Sequence, residues 1–472
     1  MGENLRPVTA GFNRSLSIET RAERLTGDPG AVLLREVLDA TGIVPWMTKR
    51  MKDDRRLEDV VHDLPSLLRT MVLLAAQGWR DHDDADALRH DPAMRLAVSS
   101  SAGLTPFAER GLASQPTLSR CTAMLAGADN LKVLREATLE LAGRNLRAEN
   151  GGARRDRITL DVDSLPIEVH GHQPKAEWHG YYKKRIYHPL ITSIAETGDM
   201  LDARLRPGSV GTAEGALDVI LDVVDRAEES LCKITHVRID AGFPSGTLLA
   251  GLEARGVQHV ARLRANPALD RLAAPHMKRP PGRRPTEPRM WTHELDYQAG
   301  TWDEPRRVVL VVKERPDDLL LDRFFLVTSI SRFQMNGQAL LDHYRQRGKA
   351  EGHMGELMDV LDPALSSTNR AKSHIRGKKP KKAAHAVDAF ACNEVRLLIA
   401  MLAYQVMHVA RRAMARKTKT SWSLRRLRER VLRAGARLVI SARRMTLILA
   451  EAAAPFWAAV WPEIQMLRGA SP

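Results

Sequence analysis

A mixed α/β layer fold with helical regions on both sides is what the sequence predicts, and three observations carry the prediction. Period-two alternation sets in near residue 156. Strand-like and helix-like stretches then interleave as far as about residue 264. On either side of that stretch the apolar spacing is helical. The chain has 472 residues, too many for one ordinary domain, and its 44% hydrophobic content is that of a globular protein.

Residues 1–150 read as a mostly helical region. Leu67 to Ala76 has apolar residues at helical spacing, and Ser114 with Pro116 marks a helix start, since serine caps and proline is tolerated in a first turn. The basic helix that follows, with Arg120 near its centre, fits either the second helix of a helix-turn-helix over 105–127 or a plain amphipathic helix in a bundle. Residues 151–264 carry the strands. From Arg157, Ile158, Leu160 and Val162 point one way while Thr159, Asp161 and Asp163 point the other. Pro189–Ile194 and Met200–Leu205 read as a hairpin across Glu196–Asp199. Residues 212–230 are helical in pattern and Ile234–Asp240 is a short strand. Ser245 caps a helix that stops at Gly256, and Val257–Leu263 is a further strand.

Residues 265–330 form a Pro- and Arg-rich piece with strands at Arg307–Lys313 and Phe324–Ile330, expected to be a β-rich insertion. Residues 331–365 return to helix. Residues 366–472 read as a basic helical region that opens with a linker at Arg376–Lys382. Its most apolar stretch, Leu397–Ala410, is too short to span a bilayer and reads as a core helix. Cys121, Cys232 and Cys392 show no metal-ligand spacing and suit buried thiols in a reducing compartment. The N-terminus lacks the apolar run of a secretory signal. The expected location is cytoplasmic and nucleoid-associated, with no membrane partner.

The formal net charge of +15 and a pI near 9.9 point to a polyanionic partner, and nucleic acid is the first choice. The cations concentrate in the C-terminal region, where Arg425, Arg426, Arg443 and Arg444 are candidate phosphate contacts and Arg411, Arg412, Arg428, Arg433 and Arg437 add to the surplus. Trp291 and Trp302 are candidates for stacking on an unpaired base or, more simply, for packing.

Two aspartates at strand ends and a glutamate on a later helix suit metal-assisted phosphoryl transfer. Carboxylate oxygen is the ligand that Mg2+ prefers, and two ions about 3.5–4 Å apart serve the attacking and the leaving oxygen. Asp163 and Asp240 occupy strand ends. Tyr344, Arg347 and Glu351 stand at i, i+3 and i+7 and share a helix face. Arg347 can hold a phosphate in bidentate fashion, and Tyr344 can bond or stack beside it. Asp161 shares the strand face of Asp163, so the first carboxylate is a choice between the two.

These residues resemble a known family. The stretches LASQPTLSR (112–120), LDVDSLPIEVHGHQ (160–173), YHPLITSIAETGDMLDARLRPGSV (187–210), VRIDAGFPSG (237–246), YRQRGKAEGHMGEL (344–357) and GARLVISARR (435–444) are similar, as an ordered set, to the DDE transposases of bacterial insertion sequences in the group numbered thirteen-eighty. The resemblance implies an RNase H-like catalytic core with a β insertion before the last acidic residue. It implies Asp163, Asp240 and Glu351 as the catalytic and metal-holding triad, with Mg2+ as cofactor and Mn2+ able to substitute. Tyr344, Arg347 and Glu351 match the Tyr-Arg-Glu-Lys signature, whose lysine falls here on Met358.

The implied reaction is cleavage at the element's ends to leave a 3′ hydroxyl, followed by strand transfer into target DNA. The implied partners are the terminal inverted repeats, target DNA and a second copy of the chain in the synaptic complex. Met358 leaves open a second reading, a catalytically inactive transposase-derived DNA-binding protein. A third is a nuclease on the same fold that cuts without strand transfer.

Overall fold

The computed structural model describes residues 7–108, 111–283, 285–368 and 388–469. The basic linker expected at Arg376–Lys382 lies outside those residues.

The centre is one eight-stranded sheet. Its strands are β1 (Arg157–Ser164), β2 (Leu190–Ile194), β3 (Met200–Arg204), β4 (Lys233–Ile239), β5 (Gln258–Leu263), β6 (Arg289–Tyr297), β7 (Arg306–Glu314) and β8 (Asp322–Thr328). Their order across the sheet is β6-β7-β8-β5-β4-β1-β2-β3. β1, β4 and β5 are parallel, and every other neighbouring pair is antiparallel. An antiparallel β1-β2-β3 meander with two parallel strands beside β1 is the RNase H-like arrangement that the sequence led us to expect. The 265–330 segment contributes three strands, including β6, which the sequence reading passed over. They continue the sheet beyond β5 rather than forming a separate layer. Strands buried on both faces need no clean alternation, which is why Val308 to Val312 is an unbroken apolar run.

Ten helices are needed to describe the layers: α1 (Gly30–Thr41), α2 (Leu64–Gln77), α3 (Gln115–Leu125), α4 (Ala128–Glu149), α5 (Ala216–Ser230), α6 (Gly246–Ala254), α7 (Gly337–Arg345), α8 (Arg347–Glu356), α9 (Ala389–Thr418) and α10 (Ala454–Gly469). Ile158, Leu160 and Val162 of β1 bury against Ile220, Val223 and Val224 of α5 and against Leu139, Ala142 and Leu146 of α4. On the opposite face, Leu340 and Leu341 of α7 pack on Val260, Val309, Val311 and Leu326. Full burial of each such side chain contributes roughly 1.5–3 kcal/mol.

The helical body is built around α9. Its Ala-, Leu- and Met-rich sequence favours helix, and Asp388 caps it by accepting from the backbone N–H of Phe390 (3.0 Å) and Ala391 (3.1 Å). By length and composition α9 is apolar enough to cross a membrane, but it is mostly buried inside the protein, as expected for Leu397–Ala410. α1, α2, α4 and α10 pack around it. Gln405 fastens it to the sheet by donating to the carbonyls of Thr138 (2.8 Å) and Met200 (2.6 Å).

The C-terminal region is not wholly helical. Ala436–Ser441 (β9) and Arg444–Leu449 (β10) form an antiparallel hairpin, with Ala442 in the left-handed region at φ 51° in its turn. Residues 436–449 carry period-two alternation and the β-branched Val439, Ile440, Thr446 and Ile448, a stronger local signal than the arginines around them. β9 also pairs with the two-residue strand Leu25–Thr26, which joins the two ends of the chain in one small sheet. Gly30 lies so close to Leu432 that a Cβ would sit 2.3 Å from its Cα.

Candidate active site

The parallel register of β1 and β4 sets the geometry. Arg238 stands opposite Asp161. Asp240, two residues further on, therefore comes level with Asp163, and period two turns both carboxylates to the same face. Asp163 is half-buried at the end of β1, opposite Ile191 of β2, and its Oδ1 accepts from the N–H of Ser164 (2.8 Å). Asp240 follows the last residue of β4.

Glu351 arrives from the other side of the chain through α8. Asn336 caps α7 by accepting from the N–H of Ala339 (2.9 Å), and the buried Leu340 and Leu341 hold that helix on the sheet. The helix breaks at Gln346 and resumes at Arg347 as α8. Arg347 is 5% exposed. Its Nη2 donates to Asp163 Oδ2 (2.7 Å) and its Nη1 to Glu351 Oε1 (2.5 Å). The three acidic positions picked out by spacing are thus brought to one place, with a guanidinium between two of them.

Charge in this place is unbalanced. Burial raises the Asp163 carboxyl above its ordinary value; Arg347 opposes the rise, and the charges of Asp240 and Glu351 add to it. Tyr344 is in the same field. Burial pushes its phenol up to about 12, with Asp240 and Glu351 adding to the rise while Arg347 and Arg262 oppose it. A half-buried carboxyl that burial and two neighbouring acidic side chains raise has the donor chemistry of a hard divalent cation, so the residues fit such an ion by charge and by ligand type. Among the described residues, no three His, Cys, Asp or Glu side chains are gathered closely enough to hold a metal ion. Arg347 bridges the place instead. His170 and His172 lie on an exposed turn past β1.

Asp161 has a different role. Its two oxygens accept from Arg238 Nε and Nη2, both at 2.6 Å, and each side chain is 1% exposed. Arg238 Nη1 also donates to the carbonyl of His343 on α7 (2.8 Å). The pair closes the floor beneath the site and leaves Asp161 sealed from solvent.

The other positions expected to meet DNA are dispersed. Arg120 is exposed on α3, whose Leu118, Cys121 and Leu125 are buried; the Ser114 hydroxyl meets that of Thr117 (3.2 Å) rather than a backbone N–H. Arg425 and Arg426 are exposed, with Arg426 4.1 Å over the Trp422 ring. Arg443 and Arg444 lie at the turn of the β9–β10 hairpin, also exposed. Several cations counted with them hold the protein together. Arg411 pairs with Glu356 of α8, Arg412 with the fully buried Asp199 (2.7 Å), and Arg428 donates to the carbonyls of Ala76 (3.1 Å) and Val360. Arg412 is pulled down to about 9 and Arg428 to about 10, in each case first by burial. Trp302 is 7% exposed and, with the partly buried Trp291, packs into the sheet core, so both serve packing. Cys121 and Cys392 are buried as expected, and Cys232 is half-buried.

Sequence reasoning missed Tyr182. It contacts the rings of His179 (4.9 Å) and His188 (5.9 Å) beside the start of β2, and the charges of Asp163 and Asp240 reach its phenol. The run Tyr181-Tyr182-Lys183-Lys184-Arg185 is the signal that could have marked it. It also missed the clamp behind α8. Glu356 accepts from the N–H of Leu424 (2.9 Å) as well as from Arg411, which ties the helix of Glu351 to the start of the basic C-terminal segment.

Comparison with known proteins gives one family match. The family model described as Transposase DDE domain group 1 matches residues 8–468. No curated protein matches the chain. Among solved structures, the chain is similar to a cryo-EM structure of the piggyBac transposase synaptic complex with hairpin DNA. The identity is 13%, over 96% of this chain and 84% of that chain, with a TM-score of 0.41.

Proposed function

This chain belongs to the DDE transposases, in the family described as Transposase DDE domain group 1, and from that premise we propose that it cleaves the DNA ends of an insertion sequence and joins their 3′ hydroxyls to target DNA. The proposal assigns Asp163, Asp240 and Glu351 as the catalytic carboxylates. One observation carries it: parallel register brings Asp240 level with Asp163, and Arg347 links Asp163 to Glu351, which lies 188 positions later in the sequence.

The three carboxylates would hold divalent cations, Mg2+ or Mn2+, whose charge neutralises developing oxyanions at phosphorus. The chain's own residues supply positioning. Arg347 and Tyr344 line the same place, where a guanidinium suits a phosphate and a phenol can donate to one. In the first step a water oxygen bonds to phosphorus and the 3′ oxygen leaves with a proton. In the second that 3′ oxygen attacks a target phosphodiester and displaces its 3′ oxygen. A homodimer would pair the two element ends, and the exposed Arg425, Arg426, Arg443 and Arg444, with Arg120, would hold DNA through phosphate contacts that weaken with salt. The motif set supports the insertion-sequence group numbered thirteen-eighty and a bacterial, nucleoid-associated setting.

The test is incubation of the full chain with a labelled element end and Mg2+, scored for a nick bearing a 3′ hydroxyl. Cleavage that disappears in Glu351→Ala, with end binding retained, is the expected result. Binding without cleavage in either Mg2+ or Mn2+ would transfer the assignment to an inactive DNA-binding descendant, the reading that Met358 in the signature position favours. Cleavage with no joining of a supplied 3′ hydroxyl would make the protein a nuclease.

A further inference from the structure

Between Asp163 and β2 the chain makes a small three-stranded sheet of Ile167–Glu168, Lys184–Tyr187 and Glu177–His179. The 177–187 hairpin in it springs directly from the site. Ile167 pairs with Tyr187, and Leu165 donates its N–H to the carbonyl of Pro189 (3.1 Å), just before β2 begins. Tyr182, at the hairpin's end, rests on His179 and His188 next to that junction.

Tyr181 meets Tyr182 edge-on at 5.0 Å and is 83% exposed. Trp178, on the same hairpin, is 64% exposed. Folding gains nothing from leaving two large rings in water; Phe12 and Phe333 are exposed as well, but every other tryptophan and tyrosine is at least half-buried, Trp302, Trp422 and Trp457 fully. The rings are set among cations. Arg185 stands opposite Trp178 in the strand register, and Lys183 is exposed beside Tyr182 with no ion-pair partner among the described residues. Glu168 is taken by Lys184 (2.6 Å), and Glu177 accepts from the N–H of Ser209 (3.2 Å). Exposed aromatic rings on a hairpin that starts beside the proposed phosphoryl-transfer site, flanked by a free cation, have the composition of a platform for unpaired nucleotides.

We propose that the 177–187 hairpin is a single-strand binding element, in which Tyr181 stacks on an unpaired base of the DNA strand entering the carboxylate site and Lys183 meets the phosphate next to it. The element rests on the DNA-processing reading above. It takes the stacking role for which sequence alone offered Trp291 and Trp302.

The test uses the full chain and two DNAs of one sequence, a blunt duplex and a duplex whose end is unpaired and carries 2-aminopurine. Removing the ring on which a base stacks weakens binding of the unpaired end by about tenfold in Tyr181→Ala and abolishes the change in 2-aminopurine emission. Tyr181→Phe keeps both, and neither substitution alters binding to blunt duplex. At 83% exposure the side chain can be removed without disturbing the fold. Equal affinity and equal emission change in wild type and Tyr181→Ala overturn this proposal and leave the transposase reading standing. A wild-type chain that binds neither DNA overturns both. Loss of self-association in Tyr181→Ala with unchanged DNA binding assigns the rings to a second copy of the chain and also overturns it.

Discussion

Two arginine–carboxylate assemblies lie two residues apart on β1, and they behave in opposite ways. In the floor, Arg238 and Asp161 are each 1% exposed and satisfy each other in a bidentate pair. Above it, Arg347 is shared between Asp163 and Glu351, and the Glu351 side chain is 59% exposed. The floor pair is closed to any third group. The upper assembly has more negative than positive charge and opens to solvent, so it can exchange partners. Similar residue types thus yield a fastening in one layer and the proposed reaction site in the next. Access and charge balance make the difference, not residue identity.

The largest effect that would test this contrast is on cleavage. Asp163→Ala should lower cleavage of a labelled element end by at least about ten-thousandfold, or ~5 kcal/mol of barrier, with little change in thermal stability. Asp161→Ala should do the reverse. It leaves Arg238 buried without its partner, at a cost of about 3–5 kcal/mol, read as a lower urea midpoint at unchanged slope. Full cleavage by Asp163→Ala with a stable but inert Asp161→Ala would invert the assignment.

Next in size is Arg347→Ala. Removing a charge-assisted partner should cost roughly 1.5–3 kcal/mol of transition-state stabilisation, about ten- to a hundredfold in kcat/KM. Arg347 opposes the rise of the Asp163 carboxyl, so its loss lets that carboxyl rise further. The acid limb of the pH–rate profile should then move to higher pH; an unmoved limb would remove Arg347 from the electrostatics of the site.

A smaller effect belongs to the floor. Burial, with the charges of Arg238 and His236, holds the His343 imidazole down at about 4. Its folded pKa lies below the ordinary value of about 6.5, so the unfolded chain binds more protons between those two pH values. The stability it contributes is complete above about pH 6.5 and is lost as pH falls toward 4. Thermal melts across that window should show a slope that His343→Gln flattens. The smallest change expected is from Met358→Lys. Met358 is half-buried against the helical core, and a lysine there can carry its charge to the surface, so cleavage should shift by no more than about twofold, equivalent to ~0.5 kcal/mol.

How much of this was legible follows the range of the signals. β1 to β5 were readable because alternation and caps are local. The level pairing of Asp163 and Asp240 followed from strand ends, and the shared face of Tyr344, Arg347 and Glu351 from helical spacing. The choice between Asp161 and Asp163 was not readable. Period two puts both on one face, and the residue that separates them, Arg238, comes from another strand 77 positions away. The same distance hid the structural arginines. Arg411, Arg412 and Arg428 look like any basic residues until Glu356, Asp199 and the carbonyl of Ala76 are placed beside them. The β9–β10 hairpin was lost for a different reason: charge dominated the reading of a segment whose alternation was present all along.

The pairing of Leu25–Thr26 with β9 and the burial of α9 have a bearing on how the chain is made. α1, α2 and α4 emerge early in synthesis, yet the long helix that completes their core is encoded from residue 389 and their partner strand from residue 436. A nascent chain must therefore carry unburied apolar helices through most of translation, and contacts that span the sequence make the final docking slow. Truncation at either end should release the same core. A gene copy broken near its 3′ end would then encode an aggregation-prone polypeptide rather than a partial enzyme.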